Sequence, residues 1–272
     1  MKKLVALTTL ICIVAAGILT ADIVYIKKSD SLQSKQETVS VSAVAAAVPT
    51  EDVSIELKNR QQKNKTIYLT FDDGPYKYTE KLLEILDATD VKVTFFVTNQ
   101  NEDYVNLIRD ENEAGHSIGI HTASHVYKEI DSSIELFYKD FYEMQQIIFE
   151  QTGQYSNLYR FPGGSSNTVS VKYSKGIVSD IAKDLQNRGY SYVDWNVNSG
   201  DAEGLNTAEK VFEKTIDEIQ KLDSDDAIVL LHDIHEWTVD AVPMIINWGK
   251  ENQCTFAALS NDSPQMHFDI AN

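Results

Sequence analysis

Basic residues are scarce in this chain of 272 residues. It contains 24 Lys and Arg against 41 Asp and Glu, which gives a formal net charge of −17. Nucleic acid phosphates are bound through clusters of Lys and Arg, so this balance argues against nucleic acid as a partner. A strongly acidic surface instead keeps a protein soluble through repulsion between its copies.

Cysteine is almost absent, and it occurs only as Cys12 and Cys254. Two cysteines so far apart in different sequence contexts are not expected to pair, so the fold has no disulfide framework to rely on. We expect Cys254 to be a buried structural thiol. The large residues before Cys12 argue against a lipoprotein.

Long apolar runs are also lacking after a single one near the N-terminus. Residues 4–26 are almost entirely apolar, with lysines on both sides, and about 20 such residues span a bilayer. Residues 1–28 are therefore predicted to be a signal peptide or a membrane anchor. The length of the run and a poor cleavage site at 19–21 favour the anchor. Either form exports the rest of the chain.

Residues 29–65 show no persistent helical or strand period, so we predict a flexible stalk or linker there. One alternating stretch, 53–57, would fit a small accessory strand instead. From residue 66 to residue 272, strand-like and helix-like patterns alternate, which predicts one folded catalytic domain. The predicted strands are 67–71, 92–98, 117–121, 158–161, 190–196, 227–232 and 255–259. The predicted helices are 78–89, 102–114, 132–151, 176–188, 207–222 and 238–253.

Alternating strands and helices imply parallel strands joined by right-handed crossovers. The fold class is therefore α/β, with a closed or nearly closed (β/α) barrel as the natural architecture. Functional residues in such barrels gather at the carboxyl ends of the strands.

Two adjacent acids, Asp72 and Asp73, stand at the end of the first predicted strand, just before Gly74-Pro75. Side chains alternate between the two faces of a strand, but a sharp turn at its end can aim both carboxylates into one mouth. Two close anions repel and are costly to remove from water without a cation. This pattern indicates a metal ion.

Further metal ligands follow at His121 and His125, just past another predicted strand. Histidines four residues apart can lie on one face of a helical turn. One Asp and two His make a set of three ligands. Such a set leaves a coordination position open, as a catalytic zinc site requires.

The blocks around Asp72 and His121 resemble the first two motifs of the polysaccharide deacetylases with a NodB homology domain (carbohydrate esterase family 4). The resemblance covers about residues 65–259. It implies a distorted, incomplete barrel of about seven parallel strands. It also implies that Asp73, His121 and His125 hold a divalent metal and that Asp72 is the general base.

Later blocks resemble the remaining motifs of this family. The resemblance implies that Arg160 contacts the base, that His232 is the general acid and that Asp194 raises the pKa of His232. Glycine replaces an aromatic residue that the family often has at position 163, although the Gly163 N–H can still bind the oxyanion. Trp195 and Leu230 are then expected to form apolar walls around the acetyl group. His116, His235 and His267 are interpreted as structural.

Zinc is the metal that we expect, with cobalt, nickel or manganese as alternatives within the family. The expected substrate is N-acetylglucosamine in a polysaccharide of the bacterial envelope, with peptidoglycan the nearest. Chitin oligosaccharides, poly-N-acetylglucosamine and acetylxylan are alternatives. Two alternative hypotheses, from other classes of protein, are a non-catalytic carbohydrate-binding module and a hydrolase of small cyclic amides. The chain is expected to be a monomer that is secreted or anchored outside the membrane.

Overall fold

The computed structural model describes residues 65–272. The chain falls into two units with a boundary between Ala47 and Val48, and the described residues belong to the second. The predicted signal or anchor at 1–28 and all but the last residue of the predicted stalk at 29–65 lie outside the described residues. Between residues 65 and 272, no helix is long and apolar enough to cross a bilayer.

Strands and helices alternate along most of the described chain. The strands are β1 (Thr66–Asp72), β2 (Thr94–Val97), β3 (Ser117–Ile120), β4 (Leu158–Tyr159), β5 (Ser191–Tyr192), β6 (Val197–Asn198), β7 (Asp226–His232) and β8 (Thr255–Phe256). The α-helices are α1 (Thr79–Thr89), α2 (Leu107–Glu113), α3 (Tyr127–Ile130), α4 (Ile134–Thr152), α5 (Ile177–Asn187), α6 (Ala208–Lys221) and α7 (Glu236–Glu251).

All eight strands belong to one parallel sheet. Its order is β5-β4-β3-β2-β1-β7-β6, and the short β8 also pairs with the beginning of β1. Among the described strands, β5 and β6 stand at the two ends of this order and do not pair with each other. The sheet is therefore a curled, incomplete barrel, which confirms the predicted fold class.

The two faces of β1 and β7 point to different environments. In β1, Leu69 and Phe71 belong to the main hydrophobic core. Because side chains alternate along a strand, Thr70 and Asp72 project to the opposite, inner face. In β7, the same alternation directs His232 to that inner face, and the register pairs His232 with Asp72. The barrel thus brings these two residues together at the carboxyl ends of neighbouring strands.

Helix ends follow local signals in several places. The Ser133 side chain caps α4 by accepting a hydrogen bond from the Leu136 N–H, and Gly153 ends this helix with a φ of 74°. The Thr207 side chain caps α6 by accepting from Lys210 N–H. Serine and threonine accept a free N–H of the first turn, and glycine adopts the left-handed end conformation at low cost.

Several predicted elements differ from the structure. The predicted helix 102–114 is a 3₁₀ turn (Glu102–Tyr104) followed by the shorter α2. The predicted strand 190–196 contains only the short β5, and β6 begins just after it at Val197. Helix α7 begins at Glu236, two residues before the predicted start at residue 238, and Pro243 lies in its interior.

Candidate active site

The first acidic pair lies where β1 ends. Asp72 is its last residue, and Asp73 adopts a φ of 72° immediately afterwards. This left-handed conformation is uncommon for a residue with a Cβ, although Asp tolerates it better than most. The turn allows the Asp73 side chain to face the same mouth as Asp72, since both approach the His121 Nε2 atom, at 3.5 and 3.9 Å.

Asp73, His121 and His125 form a set that we call the ligand triad. Asp73 Oδ1 lies 3.5 Å from His121 Nε2 and 3.3 Å from His125 Nε2. One ligand atom from each residue lies within 4.8 Å of the other two. Asp73 Oδ1 is buried and has no hydrogen-bond partner within residues 65–272. A buried carboxylate oxygen without a partner is costly, so the donor set fits a cation.

His121 is held in the form that a metal needs. Its Nδ1 lies 2.8 Å from the Arg160 carbonyl oxygen, and a carbonyl can only accept, so Nδ1 carries the hydrogen. Nε2 then keeps its lone pair toward Asp73. Burial lowers the pKa of His121 and outweighs the opposing effect of Asp72 and Asp73. The neutral imidazole is the state in which histidine binds metals.

Arg160 is fully buried beneath the mouth. Its Nη1 lies 3.0 Å from Asp72 Oδ1. The other two guanidinium nitrogens also donate, because Nε bonds to the Val193 carbonyl at 2.9 Å and Nη2 bonds to the Asp194 carbonyl at 3.2 Å. The planar guanidinium therefore has a single orientation, and it fixes the position of the Asp72 carboxylate.

His232 lies across the mouth from the ligand triad, and its partner is Asp201. The ring Nδ1 is 2.9 Å from Asp201 Oδ1, and the His232 backbone N–H donates to Asp201 Oδ2 at 2.7 Å. Burial alone would lower the pKa of His232, but the hydrogen bond and charge of Asp201 raise it to about 9. The imidazole is therefore protonated at neutral pH.

The prediction that Asp194 raises the pKa of His232 is wrong. Asp194 accepts hydrogen bonds from the Ser165 and Phe268 backbone N–H groups, both at 2.8 Å, and from the Ser165 hydroxyl. It ties the loop after β4 to the C-terminal segment. The sequence analysis missed Asp201 because it ended the strand at residue 196, whereas β6 begins at Val197 and pairs with β7. An acid after Asn198-Ser199-Gly200, a turn-like run, was the available signal.

The residues expected to line the substrate site lie around the same mouth. Leu230 is 7% exposed and shares the inner face of β7 with His232. Trp195 packs edge-on against Phe268, with 5.0 Å between ring centroids. Gly163 is exposed in the loop after β4 with a φ of 70°, and its N–H has no hydrogen-bond partner among the described residues.

Tyr127 occupies the space beside Gly163. A Cβ at position 163 would lie 3.0 Å from the Tyr127 hydroxyl and 2.7 Å from Asn167 Nδ2. Asn167 Nδ2 donates to this hydroxyl at 3.0 Å and to the Pro162 carbonyl at 2.9 Å. These bonds join the loop after β4 to the segment that follows His125.

The carboxyl ends of the strands thus gather the ligand triad, Asp72 and His232 around one mouth. A profile described as "Polysaccharide deacetylase" matches residues 59–178. The chain is 31% identical over 212 residues to a peptidoglycan N-acetylmuramic acid deacetylase of Bacillus subtilis, covering 73% of this chain and 72% of that protein. The chain belongs to the polysaccharide deacetylase family and is a deacetylase.

Other relatives agree with this assignment. A peptidoglycan N-acetylglucosamine deacetylase of Bacillus cereus is 29% identical over 256 residues, which cover 85% of this chain and 87% of that protein. The chain also resembles the crystal structure of the catalytic domain of a peptidoglycan N-acetylglucosamine deacetylase from Eubacterium rectale, with 48% sequence identity and a TM-score of 0.75. The match covers 77% of this chain and 94% of the Eubacterium rectale chain.

Proposed function

We propose that this protein removes the acetyl group from N-acetylglucosamine residues of peptidoglycan by metal-dependent hydrolysis. The observation that carries the proposal is the shared mouth of the barrel. There the ligand triad faces the carboxylate Asp72, while His232 ends the neighbouring strand at the same register. The products are acetate and a free amine, and the only other reactant is water.

Asp73, His121 and His125 would hold the metal ion. When bound, a divalent ion supplies Lewis acidity, which makes water a better nucleophile at neutral pH and polarises an amide carbonyl. Zinc suits a set of two imidazoles and one carboxylate. Cobalt, nickel or manganese could serve at the same ligands.

The reaction itself divides between three groups of this chain. Asp72, which Arg160 holds in position, accepts a proton from the attacking water. The Gly163 N–H donates a hydrogen bond to the oxygen that becomes negative when the carbonyl is attacked. His232, charged at neutral pH because of Asp201, gives its proton to the departing nitrogen, and the carbon–nitrogen bond breaks.

The acetyl group would lie against Trp195 and Leu230. Leu230 precedes His232 by two residues and so faces the same side of β7. The apolar walls suit a methyl group and limit the access of further water. A residue larger than Leu at 230 would compete with the acetyl methyl.

The substrate assignment rests on similarity and on the predicted location. The relative from Eubacterium rectale, at 48% identity, is a peptidoglycan N-acetylglucosamine deacetylase. We propose that residues 1–28 export the chain, as an anchor or a cleaved signal, that residues 29–65 form a linker, and that residues 66–272 act outside the membrane as a monomer.

Acetate release from defined substrates tests the proposal. The full chain, purified in detergent and stripped with a chelator, is assayed on N-acetylglucosamine oligomers and on peptidoglycan, before and after zinc or cobalt is restored. We expect release that depends on the metal, with peptidoglycan preferred. Acetylxylan and a cyclic amide serve as comparison substrates. Metal-bound protein that frees no acetate from any acetylated sugar would contradict the proposal and favour a binding module or a cyclic amide hydrolase.

A further inference from the structure

A second cleft opens at the other end of the barrel. It has a volume of about 290 Å³ and lies between the start of β3, the end of α4, the loop that follows α4 and the segment after β8. Ser117, which lines the cleft, begins β3, whereas the metal ligand His121 follows the end of the same strand. The cleft is therefore separate from the mouth that holds the ligand triad.

The lining of this cleft carries no charge. Among the described residues that form it there is no Asp, Glu, Lys or Arg, although 24% of the chain is charged. Its one histidine, His116, has a pKa that burial lowers to about 4, so it is neutral at physiological pH. A charged ligand would find no counter-ion here, and the cleft suits a neutral one.

The cleft also offers unused hydrogen-bonding groups. Asn112, Gln154, Asn157 and Asn261 are among the residues that line it, and within residues 65–272 none of their side-chain amides bonds to another protein group. Each amide supplies two donor hydrogens and one acceptor oxygen. Sugar hydroxyls and acetamido groups need this mixture of donors and acceptors.

Hydrogen bonds between separate segments fix the backbone around these amides. The Ser117 hydroxyl donates to the Leu259 carbonyl, and the Ser156 hydroxyl donates to the Ile118 carbonyl, both at 2.7 Å. Both bonds join segments that are far apart in sequence. The amides are thus free while the backbone around them is tied, which lowers the entropy lost when a ligand binds.

An aromatic ring stands at the rim. Tyr155 is 61% exposed, and one of its faces stacks on Phe149, with centroids 4.7 Å apart and an interplanar angle of 17°. This contact orients the tyrosine ring and leaves its other face open. The flat apolar face of a pyranose ring can cover such a surface while its hydroxyls reach polar groups nearby.

We propose that this cleft binds a neutral sugar unit of the polysaccharide, stacked on Tyr155 and hydrogen-bonded by the four amides. The choice of an N-acetylglucosamine polymer as the occupant rests on the proposed function. A second attachment point would hold the enzyme on its insoluble substrate while the catalytic mouth stays free. The second contact then raises the effective concentration of sugar chains near that mouth.

Direct binding is measured by NMR on the metal-free, isotope-labelled full chain in detergent, titrated with N-acetylglucosamine trimer. Without metal, turnover does not interfere. We expect the backbone signals of residues 153–158 to shift together with those of the loop after β1. Shifts at the catalytic mouth alone would overturn the proposal.

Variants then connect the cleft to activity. For Tyr155→Ala, we expect the ratio of activity on insoluble peptidoglycan to activity on the soluble trimer to fall about fivefold, since one stacking contact is lost. Asn157→Asp, which adds a charge at constant size, should lower the same ratio. Tyr142→Ala is the matched control, because Tyr142 is another exposed tyrosine, 45% exposed, which lies on α4 and outside the cleft.

The outcomes separate this proposal from the proposed function. An unchanged ratio in both cleft variants overturns it. If Tyr155→Ala fails to fold, Asn157→Asp and the titration of the unaltered chain decide. Shifts at residues 153–158 without any acetate release would support the sugar cleft and contradict the deacetylation of that sugar. Acetate release without those shifts would contradict only the cleft.

Discussion

Asp201 holds His232 at two points, since one carboxylate oxygen lies 2.9 Å from the ring Nδ1 and the other accepts the His232 backbone N–H at 2.7 Å. The Thr238 hydroxyl donates to the second oxygen at 2.9 Å and fixes the carboxylate further. Asp201 is therefore the group that sets both the orientation and the charge of the imidazole.

Replacing Asp201 should change the pH dependence of catalysis. The pKa of His232 is about 9, so activity that needs its proton is lost as the pH rises through about 9. In Asp201→Asn, burial dominates and lowers this pKa. We expect the alkaline limb of kcat/KM to move down by about two pH units or more. The measurement is a pH–rate profile on the trimer. An alkaline limb that stays near pH 9 would contradict the assignment.

Asp194→Asn is the comparison for that experiment. Asp194 is as buried as Asp201 but bonds to Ser165 and Phe268. We expect this variant to lose thermal stability while its alkaline limb stays where it is. The two substitutions therefore separate the loss of a structural hydrogen bond from the loss of the partner of His232.

Substitutions of the two acids at the end of β1 should impair the enzyme in different ways. Asp72→Asn removes the proposed base and keeps the triad, so we expect turnover to fall by about 10²–10⁴-fold while the metal stays bound. Asp73→Ala removes a ligand, so both metal binding and turnover should be lost. Bound metal is measured after dialysis, beside acetate release. Near-normal turnover in Asp72→Asn would exclude it as the base.

The sequence was sufficient to bring Asp73, His121 and His125 together, because they follow strands that are recognisable from their apolar pattern, whereas the contact between Arg160 and Asp72 was implied by the family resemblance. Asp201 could not be placed in this way. It follows β6, which has only two residues, Val197–Asn198, and two residues show no period. Its proximity to His232 depends on the pairing of β6 with β7, which no local signal indicates.

The error at Asp194 has the same origin. The carboxylate bonds to Ser165, 29 residues earlier, and to Phe268, 74 residues later. Such contacts depend on where a loop and the C-terminal segment lie in three dimensions. A motif next to Trp195 suggested a catalytic role, but the position of the side chain could be learned only from the structure.

Arg160 should be as important for stability as for catalysis. Arg160→Met leaves the buried Asp72 carboxylate without its cation, so we expect a loss of about 3–5 kcal/mol in the free energy of unfolding. Urea denaturation measures it. In the double variant Arg160→Met/Asp72→Asn, the unpaired charge is gone and part of the stability should return. Additive losses would mean that the ion pair is not the cause.

Arg188→Met is the exposed counterpart. The Arg188 side chain is 48% exposed and forms its ion pair with Asp184 four residues earlier on the surface. Exposed pairs contribute little because water and salt screen them. We expect a change below about 1 kcal/mol. A loss as large as that of Arg160→Met would show that burial of the ion pair does not set the size of the effect.

Asp233 should make the fold less stable at high pH. It is fully buried, its Oδ1 has no hydrogen-bond partner among residues 65–272, and burial raises its pKa to about 7. A raised carboxyl pKa stabilises the fold below the unfolded value, near 3.8, and this contribution is lost as the pH rises through about 7. Asp233→Asn cannot ionise, so its unfolding free energy should fall less between pH 5 and pH 9 than that of the unaltered chain.

The asparagine can still accept the hydrogen bond that Asp233 receives from the Thr79 hydroxyl, so the comparison isolates the charge. Asp240→Asn is the control, because Asp240 is 43% exposed and pairs with Lys81. The unfolding free energy of Asp240→Asn should change with pH in the same way as that of the unaltered chain. Chemical denaturation at each pH gives the three curves. If the Asp233→Asn curve runs parallel to that of the unaltered chain, Asp233 is ionised throughout, and a neighbouring donor or a bound cation must stabilise its charge.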